Sequence, residues 1–491
     1  MTDTVLLVAV AAVPLLAAIV SLVCPARYQI ALALVFEVAT FGLAVTLIAR
    51  ILQVGHIDAL AHWLYLDSLS SVVMLVVAIV SVLATFYSAG YLRHELLERV
   101  IKADELRKYF VLFHLFVFAM LLVTISGNLG LLWTAISATT LASAPLVDFY
   151  GSHEPLEAAW KYIVLTVAGS LIALLGLLLL YQSGVGPLGN SYDFSIPVLA
   201  GTASRLSPTL ASTAFLLVLV GFGTKAGLAP MHTWLPDAHS QAPSPICAML
   251  SGAELNCAML GIFRVYTLTA AAAGAATLRT GLLVFGLLSM IVAVVFLISQ
   301  RNFKRLLAYS SVEQMGLISV GVGLGTPLAL IGALLLMVTH GFTKCLMFFA
   351  TGNLVLRFRT TTIPEIQGVV RAMPWTALLL VGGALAIAGA PPFGVFISEF
   401  SIIAGAFAGH LWVLGALIAS LLLLGFIPLV APFHRMTFSN AETGGELAQA
   451  ELSAVTLVPA LVLLGAVLVI GVWIPDPLDQ LLHHAAAVLT R

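Results

Sequence analysis

Leu217-Val-Leu-Val-Gly-Phe-Gly-Thr-Lys225-Ala-Gly-Leu-Ala-Pro230 sets a lysine inside an apolar run and closes that run on a proline. Proline within a helix removes a donor and clashes with the carbonyl one turn back, so backbone carbonyls are freed there. At membrane depth such a break is tolerated only where protein or a water-filled cavity satisfies the freed groups. A second stretch is built the same way: Ala386-Ile-Ala-Gly-Ala-Pro391-Pro392-Phe-Gly-Val-Phe-Ile-Ser-Glu399. Two corresponding broken helices in the two halves of a membrane chain point to a transport site.

The composition requires a membrane. Of 491 residues, 61% are hydrophobic and 9% charged, whereas a soluble domain carries roughly a quarter charged residues. A water-facing surface cannot be made from this pool. With a formal net charge of −1, nothing suggests a nucleic-acid or strongly anionic partner, and none is expected. Cys24, Cys247, Cys257 and Cys345 lie in apolar segments without metal or cluster spacing, and read as small core residues. The run Val5 to Val23 has no basic leader before it and no small-residue cleavage site after it, so it reads as a retained first span.

Apolar stretches of spanning length fall near residues 4–23, 30–52, 67–90, 109–125, 128–148, 159–181, 209–229, 243–268, 280–299, 306–324, 327–351, 374–403, 411–431 and 453–474. The expected fold is all-α, a polytopic membrane protein of about fourteen transmembrane helices. Residues 1–108 would hold helices 1–3, 109–268 a first five-helix unit and 280–431 a second. Residues 432–491 would add helix 14. The breaks then fall on the fourth helix of each unit, helices 7 and 12. Loops after odd-numbered stretches hold fourteen Lys and Arg, the opposite side five, counting Arg264 there. The basic side is cytoplasmic, which puts both termini outside the cytoplasm of a bacterial inner membrane.

Ionisable residues inside spans cost about 2.5–3.5 kcal/mol each on insertion scales, so each needs a reason. Lys225 precedes the first break by a turn, and Glu399 follows the second by about two turns. Glu254 lies in the eighth stretch; His340 and Lys344, four apart on one helical face, lie in the eleventh. Lysine, histidine and glutamate on successive helices are what a lateral proton relay requires. Any one of them alone reads best as a paired structural charge or a snorkelling side chain. Five on four helices, two of them beside breaks, favour conduction. Asp148 and Glu157 flank the cytoplasmic end of the fifth helix as interfacial or uptake-side groups. The charged run Arg93 to Lys108 reads as a solvated loop. Gly221-Phe-Gly-Thr-Lys225 has the wrong lysine spacing for a phosphate loop. The sequence also lacks a dinucleotide fingerprint, a haem ligand pair and an iron–sulfur cysteine set, so no cofactor, no metal and no active site of its own is expected.

Gly221 to Pro245, with its Met231-His-Thr-Trp-Leu-Pro-Asp-Ala-His239 centre, resembles the signature of the antiporter-like subunits of respiratory complex I. Their family also includes membrane-bound hydrogenase and multi-subunit Na+/H+ antiporter subunits. Lys304-Arg-Leu-Leu-Ala-Tyr-Ser-Ser311, His340-Gly-Phe-Thr-Lys344 and Gly389 to Phe400 are similar to the same family. The resemblance covers roughly residues 70 to 430. Ala138 to Ser143 with Leu156 to Tyr162 resembles component F of hydrogenase 4. The resemblance implies two inverted five-helix repeats, Lys225 as the central lysine, His340 and Lys344 as connecting relay, and Glu399 as exit-side acid. It also implies partner subunits in a hetero-oligomeric oxidoreductase. One departure stands out. The family places a glutamate where Ser137 stands, which normally pairs with the helix 7 lysine. Glu254 brings an acid where the resembling subunits carry an apolar residue, and is expected to replace the lost partner of Lys225. Asn256 stands where some of those subunits carry a second lysine.

The leading expectation is a proton-translocating subunit of a complex I-like or group 4 hydrogenase-like complex. A gradient-coupling subunit serving a zinc carbonic-anhydrase-like partner in bicarbonate accumulation is a second, and a non-pumping scaffold a third. Sodium is an alternative ion, although a lysine-centred path offers few clustered oxygen ligands for a hard cation.

Overall fold

The computed structural model describes residues 3–439 and 451–490. Part of the expected 432–491 segment, residues 440–450, thus lies outside the described residues, as do Met1, Thr2 and Arg491. In chain order the elements are α1 (Asp3–Val23), α2 (Gln29–Val54), β1 (His56–Ala59), β2 (Leu64–Asp67), α3 (Ser68–Leu97), α4 (Ala103–Ile125), α5 (Leu129–Val147), α6 (His153–Leu188), α7 (Ile196–Thr202), α8 (Pro208–Ala226), α9 (Trp234–Gln241) and α10 (Ser244–Met249). They continue as α11 (Leu255–Ala273), α12 (Ala275–Leu297), α13 (Phe303–Leu324), α14 (Pro327–Phe358), α15 (Val369–Ala372), α16 (Pro374–Ile387), α17 (Gly394–Ala408), α18 (Trp412–Phe438), α19 (Ala454–Val472) and α20 (Asp476–Leu489). Among the described residues, 12 helices are long and apolar enough to cross a membrane, and α16 and α17 are shorter apolar helices. The 22-residue α13 joins them in the bundle.

Polar caps and prolines set the helix starts. Asp67 accepts from the Ser70 amide at 3.0 Å, Asn128 from Gly130 at 2.8 Å and Asn302 from Lys304 at 2.9 Å. Proline occupies the first turn of α8, α14 and α16, where its missing N–H is no loss. Small residues let the central helices touch backbone to backbone, as membrane packing favours. A Cβ on Gly221 of α8 would lie 2.5 Å from the Gly169 carbonyl of α6. One on Gly286 of α12 would lie 2.6 Å from that of Gly316 on α13.

Burial is uneven, and the unevenness positions the site. The apolar heart of α10–α11 is 100% buried and that of α14 94%, whereas those of α2 and α18 are 28% buried. The two enclosed segments carry Glu254, Asn256, His340 and Lys344. An ionisable side chain there can reach only other protein groups.

Four details depart from expectation. The run Arg93 to Lys108 is not one loop: α3 continues to Leu97 and α4 begins at Ala103, because the Glu105 carboxylate accepts the Lys102 amide at 2.6 Å. Arg264 is not at a helix end. It lies within α11, 3% exposed, and grips the Asp67 carboxylate through both guanidinium nitrogens at 2.7 and 2.8 Å. Moving it leaves four basic residues on the less basic side, so the bias keeps its direction. A short antiparallel hairpin, β1–β2, precedes α3 in an otherwise helical chain. The eighth stretch is not one regular helix either: residues Leu250–Glu254 form a π-helical turn between α10 and α11.

Candidate functional site

Lys225 stands in the last turn of α8. Gly227 takes the left-handed conformation (φ 76°) that only glycine adopts readily, and ends the helix. The chain then runs through Pro230 and a 3₁₀ turn, Met231–Thr233, into α9. The groups freed by the break find named partners. The Trp234 indole donates to the Thr224 carbonyl at 2.7 Å, and the Ala229 amide donates to the Ser289 hydroxyl at 2.9 Å. The break thus exposes no backbone to lipid at these points.

The Lys225 ammonium lies 2.7 Å from Glu254 Oε1. It also donates to the Thr140 hydroxyl and, at 3.1 Å, to the Tyr162 hydroxyl, whose ring lies 5.1 Å away at its centroid. Tyr162 donates to Glu254 Oε1 at 2.8 Å, so lysine, tyrosine and glutamate close a triangle. Glu254 Oε2 has no hydrogen-bond partner. The π-helical turn ends on Glu254. Its widened spacing is eased by Asn256, which donates to the Gly252 carbonyl at 2.9 Å and to Met337 at 3.0 Å.

Ser137 donates to the Trp133 carbonyl and sits 2.5 Å from the Ser170 hydroxyl. With Thr140, Thr166 and Lys225 it lines a cavity of about 10 Å³, close to the space one water needs. Asp148 caps α5, and its buried Oδ1 is unpartnered. Glu157 does not join the buried cluster: it is exposed and pairs with Lys161 at 2.7 Å. Lys161 and Arg305 both bind Asp237, at 3.2 and 2.7 Å, in one surface network.

From Glu254 the polar groups continue across the enclosed helices. Ser251 lies 2.7 Å from Ser311 of α13. His340 is 1% exposed, and neither ring nitrogen has a partner. Lys344 donates to the Leu307 carbonyl at 2.6 Å and to the Ser310 hydroxyl. No carboxylate comes within ion-pair distance of it among the described residues. On α13, Glu313 is 3% exposed with Oε1 unpartnered, and the charges of Glu399 and Lys344 both reach it. Gln314 donates to Glu399 Oε1 at 2.8 Å. Glu399 lies against the second break, where a Cβ on Gly389 (φ 69°) would collide with its Oε2.

Glu313 and Tyr162 were not among the residues singled out from sequence. The signal for Glu313 was present, since it is an acid inside the tenth apolar stretch, two residues past Ser311. The same rule would have marked Glu37 on α2 and His114 on α4, which pair at 3.1 Å, 1% and 0% exposed.

A helical membrane bundle with two interrupted helices, each ending against a buried ionisable group, is the class of an antiporter-like membrane subunit. Residues 126–425 match the family described as NADH:quinone oxidoreductase/Mrp antiporter, transmembrane, and residues 53–99 match that of the complex I chain 5 N-terminus. The chain is 37% identical over 381 residues to the hydrogenase-4 component F homolog of Methylacidiphilum infernorum, covering 75% of this chain and 80% of that one. It is 30% identical over 473 residues to hydrogenase-4 component B of Escherichia coli, covering 91% and 67%. Its fold overlays on a chain of an archaeal respiratory complex, the membrane-bound sulfane sulfur reductase, with TM-score 0.88, 25% identity and coverage of 99% and 98%. Respiratory complex I of Thermus thermophilus offers a second, with TM-score 0.82, 23% identity and coverage of 99% and 100%. The chain belongs to the NADH:quinone oxidoreductase/Mrp antiporter family, as an antiporter-like multi-pass membrane subunit of a hetero-oligomeric complex.

Proposed function

We propose that this subunit moves protons across a bacterial inner membrane along Lys225, Glu254, His340, Lys344, Glu313 and Glu399. The observation that carries this reading is the file itself. Buried ionisable groups run from one broken helix to the other through two enclosed segments, several of them with unpartnered atoms that can accept or release a proton. Lys225, held by Glu254, is the charge whose shift a partner can drive, and Glu399 is the release-side acid. The two five-helix units, 109–268 and 280–431, would be inverted repeats meeting along the file, with both termini on the non-cytoplasmic side. A complex I-like or group 4 hydrogenase-like assembly supplies the redox reaction. The hydrogenase-4 relatives favour that over a zinc hydratase partner or a silent scaffold. Protons are favoured over sodium because the file presents two lysines and no oxygen-rich cage.

The test is proton uptake by the intact complex in proteoliposomes, driven by its partner enzyme. Lys225→Ala, Lys344→Ala and Glu399→Gln should each abolish uptake while partners still co-purify. Full uptake in all three would refute the reading, and uptake that required Na+ would change the ion.

A further inference from the structure

Glu95 lies apart from the file that joins Lys225 to Glu399. It sits near the end of α3, 2% exposed, in a stretch whose charged sequence reads as solvated loop. Its Oε1 accepts the Tyr150 hydroxyl at 2.7 Å, and Tyr150 lies 3.1 Å from the Tyr91 hydroxyl. Its Oε2 has no partner. Tyr91 faces Ser244, whose own hydroxyl is also unpartnered. Ser244 opens α10, and the α9 turn just before it carries His239. That imidazole is 0% exposed. Its Nδ1 bonds the Leu235 carbonyl at 2.9 Å, and its Nε2 has no partner.

The surrounding charges tie this cluster to both the surface and the file. Lys304 and Arg359 act on Glu95, and Lys304 and Lys344 act on His239. The α3 turn that holds Glu95 also gives His94 and Glu98 to a cleft of about 530 Å³, lined further by Arg357 and Arg359. Arg359 therefore lines the cleft, lies 3.9 Å from Glu98 there, and acts on the buried carboxylate by its charge. A brace would have its acceptors filled, because a buried oxygen left bare costs about 1–3 kcal/mol. Bare atoms at Glu95, Ser244 and His239 in succession suit groups that take up and hand on a proton.

We propose that Glu95 is the group through which the relay takes up protons from the cleft, with Tyr150 and Tyr91 as the hydroxyl bridge to the Ser244–His239 corner. The proposal rests on the proton-carrying function proposed above and adds its port. A proton from cleft water adds to the carboxylate, which frees the Tyr150 hydroxyl to turn toward Tyr91. The acid then gives its proton to the Tyr150 oxygen as Tyr150 passes its own to Tyr91, and Tyr91 releases its own toward the Ser244–His239 corner, where His239 Nε2 is the free acceptor. Each hydroxyl gains one proton and loses one. Glu95 returns to carboxylate, and one H+ has moved inward.

The experiment is proton uptake by the intact reconstituted complex against the pH of the cleft side. Glu95→Gln keeps shape and hydrogen bonding but cannot ionise, and should lower uptake about tenfold or more. Glu95→Asp should recover most of the flux with a displaced pH profile, and Tyr150→Phe should fall between. A merely structural carboxylate would not move that profile. If Glu95→Gln prevents assembly, the Asp and Phe variants carry the test. Wild-type uptake and pH profile in these variants, beside a dead Lys225→Ala, would overturn the port and leave the function standing. Wild-type uptake in Lys225→Ala as well would overturn both.

Discussion

The two broken helices differ in the company their charges keep. At the first, Lys225 faces a carboxylate at 2.7 Å, with a tyrosine bonded to both. At the second, Glu399 is held by the neutral amide of Gln314, and its neighbour in the file, Lys344, by a carbonyl and a hydroxyl. A buried ion pair fails as a unit, because removing one partner strands the other. Groups held by neutral dipoles can be removed one at a time. In the proposed function, the first half holds a charge pair that a neighbour can pull apart, and the second passes single charges along.

The largest expected effect breaks the pair. Lys225→Met leaves Glu254 buried without a cation and should cost about 3–5 kcal/mol of stability, with proton uptake lost. Thermal unfolding in detergent reads the first and proteoliposome uptake the second. Adding Glu254→Gln to Lys225→Met should recover part of the lost stability, a coupling that a double-mutant cycle measures directly. The same change in the other half, Lys344→Met, should abolish uptake yet cost no more than about 1 kcal/mol, since no ion-pair partner is stranded. Equal costs at the two lysines would erase the contrast.

The breaks themselves offer a finer comparison. Gly389→Ala drives a methyl into the Glu399 carboxylate at a positive φ, and should cost about 1–3 kcal/mol and slow uptake. At Gly227 the obstacle is the tip of Leu235, a flexible side chain 2.7 Å from the added carbon, so alanine there should cost about 1 kcal/mol. The faintest expected change in uptake tests Ser137. Ser137→Glu alone overfills its small cavity, by about 1–3 kcal/mol. Combined with Glu254→Gln it should restore part of the uptake, because an acid would again face Lys225 from α5.

Much of this was legible from the chain. Lysine, glycine and proline within apolar runs mark both breaks, since few other residue combinations both end a helix and bury a charge. Glu254 was legible as the partner of Lys225 because an acid gained on one helix offset an acid missing at Ser137 on another. The π-helical turn under Glu254 left no local trace, since Leu250 to Glu254 is as helix-compatible as its flanks. Glu313 was passed over because the recognisable motif stops at Ser311. Glu95 was hidden by its neighbours: Arg93, His94 and Glu98 are surface residues of the same turn, and only packing against Tyr150 and Tyr91 separates it from them.

The most direct measurement is proton uptake by the intact complex carrying Glu254→Gln, in the same proteoliposomes as wild type. Loss of uptake with all partners still bound is the expected result, because Lys225 then lacks the acid that holds its charge. Undiminished uptake in Glu254→Gln beside none in Lys225→Ala would contradict the claim that these two residues act as the pair.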